Sequence, residues 1–313
     1  MIGISSIGTY VPARKIDNYD RMEQFNTNSW FLDNKTGFRF LARKEETDET
    51  SDLCVKAFQA LQNKTGVKTE EIQCAVVITQ NPDGKGLPHS SAWLHQKLGL
   101  PVNTACFDIS LGCSGYVYGL SIMKSFMEGN GFTTGVLFTA DPYSKILNEN
   151  DRSTELLFGD ASSCTLMTDK PKYSIGRTCF ATDGTRTETI WVNPATGKFE
   201  MKGQAVFKFS LQKVPAQIIE CLEKNQLTQE EVDLFIVHQG SRYIVDNLAE
   251  ILKLSSEKLP FTAAEVGNTV SSTIPLTLES LVDSSRPGKI LLSGFGVGLS
   301  WASTVMTKQH SSI

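Results

Sequence analysis

The chain has no C-x-x-C pair and no grouping of cysteine with histidine. Its seven cysteines, at positions 54, 74, 106, 113, 164, 179 and 221, are odd in number and scattered. That usage argues against a disulfide framework and against a zinc site, and it fits a reducing compartment. The four histidines are scattered too. No long run of lysine and arginine occurs, and 30 basic against 34 acidic residues leave a formal net charge of -4. A nucleic-acid binder of this size is usually basic, so that class is disfavoured. The start, Met1-Ile2-Gly3-Ile4-Ser5, lacks the basic and apolar regions of a secretory signal. No apolar stretch approaches a membrane span. The expected home is the cytoplasm.

What is present is an ordinary globular composition, 40% hydrophobic and 20% charged over 313 residues. That length buries one large core or two modest domains. Helical and strand periodicities alternate, which predicts an α/β class. Residues 52–61, 90–98, 214–223 and 243–252 read as helices. Residues 74–79, 135–139, 234–237 and 289–293 read as strands. The polar stretch 177–202 reads as a connection between halves. The charged stretch 43–49 reads as a solvated surface.

A faint internal duplication runs through this alternation. Thr69-Glu70-Glu71-Ile72-Gln73-Cys74-Ala75-Val76-Val77 resembles Gln229-Glu230-Glu231-Val232-Asp233-Leu234-Phe235-Ile236-Val237. A helix closing on a leucine pair follows each, and then a strand. The reading is two α/β halves, 1–170 and 171–313, forming one body. Ligand sites in open α/β sheets favour strand C-termini, and matching ends converge near the pseudo-twofold.

Three residues occupy such ends. In Phe107-Asp108-Ile109-Ser110-Leu111-Gly112-Cys113-Ser114-Gly115-Tyr116 a strand-like lead breaks at glycine and enters a helix-like run. Cys113 is presented at that corner. Unpaired N–H groups and the helix dipole favour its thiolate, making it a candidate nucleophile. A buried structural cysteine is the alternative. His238 leaves an apolar strand into Gln239-Gly240-Ser241 and is either a site residue or a hydrogen-bonded structural histidine. Asn268, between Gly267 and Thr269, is either a site residue or a turn asparagine. Together they suit acyl transfer: a thiolate attacks a thioester, and two donors hold an oxygen gaining charge. Gly294-Phe295-Gly296-Val297-Gly298 is a poor dinucleotide loop, because its third glycine is misplaced. Close backbone approach to a substrate, with an N–H for an oxyanion hole, reads better. Ser114 is not in a G-x-S-x-G register, so a serine-hydrolase elbow is absent.

The chain resembles the β-ketoacyl-acyl carrier protein synthase III family of thiolase-fold condensing enzymes. The resemblance is carried by Lys35-Thr36-Gly37-Phe38-Arg39, the segment 107–120, Asp151-Arg152-Ser153-Thr154 and Phe158-Gly159-Asp160-Ala161. It continues through Met201-Lys202-Gly203, Val206-Phe207-Lys208, Val237-His238-Gln239, Gly267-Asn268-Thr269, Ser272-Thr273-Ile274-Pro275 and the glycine-rich 294–298. It implies a duplicated, five-layered α-β-α-β-α fold. It also implies a Cys113, His238, Asn268 triad and decarboxylative condensation of an acyl-CoA with malonyl-acyl carrier protein, without metal or redox cofactor. The implied oxyanion donors are the backbone N–H groups of Cys113 and Val297. Coenzyme A is expected at Phe31, Lys35, Arg152 and Ser241, with Trp30 the competing aromatic. The resemblance further implies a homodimer, with Leu87 lining an acyl pocket across it, and carrier-protein docking at Lys208, Lys213 and Arg242.

Some positions depart from the family. Gly240-Ser241 stands where alanine-asparagine is common, and Tyr243 and Glu250 lie on a usually basic face. A specialised acyltransferase or condensing enzyme, of secondary metabolism or sugar modification, is therefore the rival reading. A non-catalytic thiolase-fold partner is disfavoured, because Cys113 and His238 are both kept.

Overall fold

Successive side chains of a strand point to opposite faces, so the continuously apolar strands here can meet a core on each side. The computed structural model describes residues 1–285 and 287–309. Its strands are β1 (Gly3–Tyr10), β2 (Lys15–Asp17), β3 (Phe40–Ala42), β4 (Cys74–Ile78), β5 (Ala105–Ile109), β6 (Thr134–Ala140) and β7 (Ser162–Thr168). Then come β8 (Tyr173–Ile175), β9 (Cys179–Thr182), β10 (Ile190–Asn193), β11 (Lys198–Met201), β12 (Leu234–Val237), β13 (Lys289–Gly296) and β14 (Ser300–Lys308). The helices are α1 (Ser29–Phe31), which continues with wider turns over Leu32–Thr36, α2 (Thr50–Thr65), α3 (Ser90–Leu98) and α4 (Gly115–Asn130). They continue with α5 (Arg152–Glu155), α6 (Gly203–Lys224), α7 (Arg242–Leu252) and α8 (Thr273–Ser285).

The same strand order occurs twice. In the first half β5, β4, β6, β7 and β1 lie side by side. The pairs of β4 with β5 and with β6 are parallel, and the following pairs are antiparallel. In the second half β12 pairs parallel with β13, which runs antiparallel to β14, which pairs with β8 and β9. The counterpart of β5 is missing there. Residues 258–262 stand in its place, held by Phe235 N donating to Lys258 O at 2.7 Å and Thr262 N donating to the Gln239 side chain at 2.9 Å. β8 also pairs with β1, which joins the halves into one ten-stranded sheet.

Helices cover both faces and fill the middle. On β4, Ala75 and Val77 pack with Leu53, Phe58 and Leu61 of α2. The alternate residues Val76 and Ile78 meet Tyr116, Val117 and Leu120 of α4 and Ile274 and Leu278 of α8. β12 divides likewise: Leu234 and Ile236 enter this central core, while Phe235 and Val237 pack with Val214 and Ile218 of α6 and with Val245 and Leu248 of α7. The layers are α2 and α3, sheet, α4 and α8, sheet, α6 and α7, which is the five-layered thiolase-like fold. α4 lies against β4 because Gly115 and Gly119 carry no side chain. A Cβ at either would stand 2.5 Å from Ile78.

Two expectations are corrected. The stretch 177–202 is more than a connection. It holds β9, which extends the sheet along β14, and the hairpin β10–β11, a separate two-stranded sheet. Its apolar positions Ile190 and Phe199 are buried. The stretch 43–49 is not uniformly solvated. Arg43 is buried, donating to Glu155 at 3.0 Å and to the Phe158 carbonyl. Arg21 meets the same carboxylate at 3.1 Å. A carboxylate this buried needs partners, and the two guanidinium groups tie α5 to the N-terminal segment.

Candidate active site

The elements that end near one another define a cavity of about 710 Å³. Cys113, His238 and Asn268 all line it. Cys113 sits between the end of β5 and the start of α4, where Gly115 N donates to Gly112 O at 2.8 Å. His238 follows β12, its backbone N–H continuing the ladder to Ser293 O at 2.8 Å. Asn268 is fixed by a bridge to Phe158, with its N–H on Leu157 O at 2.8 Å and its carbonyl accepting from Gly159 N at 3.0 Å.

Each side chain is oriented by a named contact. The Asn268 Oδ1 accepts from Val270 N at 2.9 Å, which leaves its NH2 group to other acceptors. This is the turn asparagine of the bland reading, at a cavity wall. The His238 ring is buried, its Nδ1 lies 2.8 Å from Thr273 Oγ1, and it packs edge-on against Phe295 at 5.6 Å. Burial drives its pKa down to about 3, so the imidazole is neutral at physiological pH.

Cys113 differs from the expected thiolate. Burial pushes its pKa up to about 12, outweighing the backbone N–H groups of Val297 and of Cys113 itself, which act on the sulfur and lower it. Buried Asp141 adds to the rise. In the resting site the thiol holds its proton. The two N–H groups acting on the sulfur are those expected for the oxyanion hole. Gly296 makes their approach possible, because a Cβ there would stand 2.7 Å from the sulfur.

The expected coenzyme A residues Phe31, Lys35, Arg152 and Ser241 all line the same cavity, and so does Trp30. The Arg152 guanidinium lies 4.6 Å from the Phe31 ring centre. Trp30 is 60% exposed, with the Lys35 ammonium 5.6 Å from its ring centre. Ser241 caps α7, accepting from Ile244 N at 3.3 Å. The structure does not bring the other expected residues to the cavity. Lys208 and Lys213 are exposed on α6, and Arg242 lies over Phe261 at 4.5 Å. Leu87 is 94% exposed on its own chain.

Several cavity residues carry no chemistry legible in a sequence. Tyr143, Phe158 and Phe199 pack against one another with ring centres 5.0–5.2 Å apart. Ile190, Met201 and Val206 continue this wall. At another part of the lining Tyr243 stacks on Phe207 at 4.8 Å, with the Lys35 ammonium 3.2 Å from the Tyr243 ring centre. Phe158, Met201 and Phe207 fall within motifs of the resemblance. Tyr143, Ile190 and Phe199 give no signal of their own.

A buried thiol under two backbone donors, beside a neutral imidazole and an oriented amide, on a duplicated thiolase-like fold, defines an acyltransferase that works through a covalent thioester. The 3-oxoacyl-[acyl-carrier-protein] synthase III family profile matches residues 107–184, and the profile of its C-terminal part matches residues 222–308. The β-ketoacyl-[acyl-carrier-protein] synthase III of Streptococcus sanguinis is 30% identical, over 97% of this chain and 98% of that protein. The crystal structure of the Thermus thermophilus synthase III superposes with a TM-score of 0.92 at 30% identity, covering 98% of this chain and 99% of that one. A priming β-ketosynthase of a polyketide biosynthetic pathway superposes at 0.89 with 26% identity, over 99% and 97% of the two chains. The chain belongs to the β-ketoacyl-[acyl-carrier-protein] synthase III family.

Proposed function

We propose that the chain condenses an acyl-CoA with malonyl-acyl carrier protein, as in the initiation of fatty acid synthesis. The Cys113 thiol attacks the acyl-CoA carbonyl. The carbon–sulfur bond to coenzyme A breaks, and the thiol proton leaves with coenzyme A as its free thiol. The backbone N–H groups of Cys113 and Val297 hold the oxygen through the tetrahedral stage. The malonyl thioester then enters. Its carboxylate leaves as carbon dioxide, and the bonding pair passes into an enolate. His238 and Asn268 donate to that enolate oxygen. The enolate carbon attacks acyl-Cys113, the carbon–sulfur bond to Cys113 breaks, and 3-oxoacyl-acyl carrier protein leaves; the Cys113 thiolate takes a proton from solvent to restore the thiol. No step draws on a metal or redox cofactor.

The observation that carries this reading is the meeting of Cys113, His238 and Asn268 at one cavity. The Phe31–Arg152 pair is read as the clasp of the adenine, and Lys35 and Ser241 as contacts further along coenzyme A. Lys208, Lys213 and Arg242 are read as carrier-protein contacts. Residues 1–170 and 171–313 are read as the halves, on the repeated strand order. The enzyme is taken to act in the cytoplasm as a homodimer. In support, β5 is a sheet edge, and Leu87, Trp93, Val102, Ile122 and Phe180 are each exposed. Among the described residues no helix is long and apolar enough to cross a membrane.

Incubation with short, branched and long acyl-CoAs tests the reading by intact-protein mass spectrometry. An acyl adduct is expected on Cys113 and absent in Cys113→Ser. No adduct across the series would refute it. The rival reading, a specialised condensing enzyme, draws on the cavity lining, where Tyr243 and Phe207 stack under Lys35. Comparing malonyl-acyl carrier protein with malonyl-CoA as acceptor separates the two.

A further inference from the structure

We propose that Thr273 is a positioning residue that decides which nitrogen of His238 carries the proton. The inference rests on the decarboxylative reading above, because only there must the imidazole donate. A neutral imidazole has one N–H donor and one bare acceptor nitrogen. His238 is neutral, so whichever partner claims Nδ1 sets the state of Nε2. Gly240 lies beside Nε2: even a Cβ at that glycine would stay 3.5 Å away.

Two groups compete for the imidazole. The Thr273 hydroxyl lies 2.8 Å from Nδ1. The Val270 carbonyl is also within hydrogen-bonding reach of the imidazole, and it lies 3.1 Å from the Thr273 hydroxyl. A threonine at the start of a helix commonly returns its O–H to a carbonyl three residues back. That carbonyl also accepts the Thr273 backbone N–H and has a second lone pair for the hydroxyl. Of the two acceptors open to the single hydroxyl proton, Nδ1 at 2.8 Å is nearer than the carbonyl at 3.1 Å, and under the proposal Nδ1 takes the proton. Nδ1 accepts, Nε2 keeps its proton, and Nε2–H is the donor toward the thioester oxygen. Without the hydroxyl, the group left at the imidazole is the Val270 carbonyl, which can only accept. The proton then moves to Nδ1, and Nε2 presents a lone pair to an oxygen that is gaining negative charge.

Val270 makes the arrangement rigid. It is a β-branched residue at φ +54°, a conformation such residues rarely adopt. That turn aims its N–H at Asn268 Oδ1 and its carbonyl toward Thr273 and His238. One backbone unit thus orients both enolate donors.

The test compares Thr273→Val, which keeps the shape, with Thr273→Ser, which keeps the hydroxyl. Cys113 acylation by acetyl-CoA, release of carbon dioxide from malonyl-CoA and the ¹⁵N spectrum of His238 are measured on each. Thr273→Val should acylate within about threefold of the parent but lose about 100-fold in decarboxylation, the scale of one removed oxyanion donor. Thr273→Ser should stay within about threefold in both. The spectrum should show Nε2 protonated in the parent and Nδ1 protonated in Thr273→Val. Equal loss of both half-reactions, an unchanged spectrum in Thr273→Val, or a Thr273→Ser as impaired as Thr273→Val would overturn the proposal. A parent chain that decarboxylates no malonyl thioester would defeat the proposed function instead, and the spectra would still decide the tautomer.

Discussion

Replacing Gly296 by alanine tests whether the sulfur of Cys113 is placed by the backbone around it. The added Cβ would stand 2.7 Å from the Cys113 sulfur and 2.8 Å from its Cβ. Non-bonded carbon contacts settle near 3.5–4.0 Å, so about 1 Å must be found. Gly296 is held by its pairing with Ser300 of β14, at the end of a strand that β12 also flanks as far as Ser293, so the cysteine is taken to move. Moving it takes the sulfur away from the Val297 and Cys113 N–H groups. A displacement of about 1 Å at a reacting atom costs on the order of 100-fold in rate. The overpacking itself costs about 1–3 kcal/mol of stability. Gly129→Ala in α4 is the control. Nothing lies within 4 Å of its added Cβ, so it should gain about 0.5–1 kcal/mol and leave the chemistry untouched. The assay is single-turnover acylation of Cys113 by acetyl-CoA, read by intact mass, beside a thermal melt of each variant. A Gly296→Ala enzyme that acylates within threefold of the parent would refute the argument.

The two half-reactions should separate by pH. Burial raises Cys113 to about 12, so between pH 6 and 9 its thiolate fraction climbs about tenfold per unit, and acylation should rise throughout. Burial lowers His238 to about 3, so it loses no proton in that window, and decarboxylation by pre-acylated enzyme should stay flat. Rapid-quench acylation that levels off below pH 8 would count against a buried thiol. His238→Ala should cut decarboxylation far more than acylation in the same assays, and equal loss would assign the imidazole another task. Phe107→Asp on the half-buried edge strand β5 should halve the mass seen in sedimentation, and an unchanged mass would move the dimer contact elsewhere.

The parts of the site that follow from local pattern were legible before any coordinates. The strand Leu234–Val237 and the helix Ser90–Leu98 match their expected ends, because period and boundary residues are local properties. Cys113 and His238 were legible because each follows a strand near glycine, and Asn268 because it sits between Gly267 and Thr269 ahead of a helix. The Cys113 protonation state was not. The helix start suggested thiolate, and burial by segments distant in sequence reversed it. Arg43 looked like part of a charged surface, and its buried role depends on Glu155, 112 residues away. Tyr143, Ile190 and Phe199 look like any core residues until the fold brings them to one wall.

That wall is built on a different element from the residues read as carrying the chemistry. Ile190, Phe199 and Met201 come from the β10–β11 hairpin, which pairs only with itself, while Cys113, His238 and Asn268 hang from the main sheet and its loops. The hairpin is tied back by few backbone contacts, such as Phe199 N to Ile146 O at 3.0 Å. A lineage can therefore resize the chamber by exchanging one short insert without reopening the catalytic framework. Donor preference should drift quickly among relatives whose triads stay fixed, and a grafted hairpin is the shortest route to a changed substrate range.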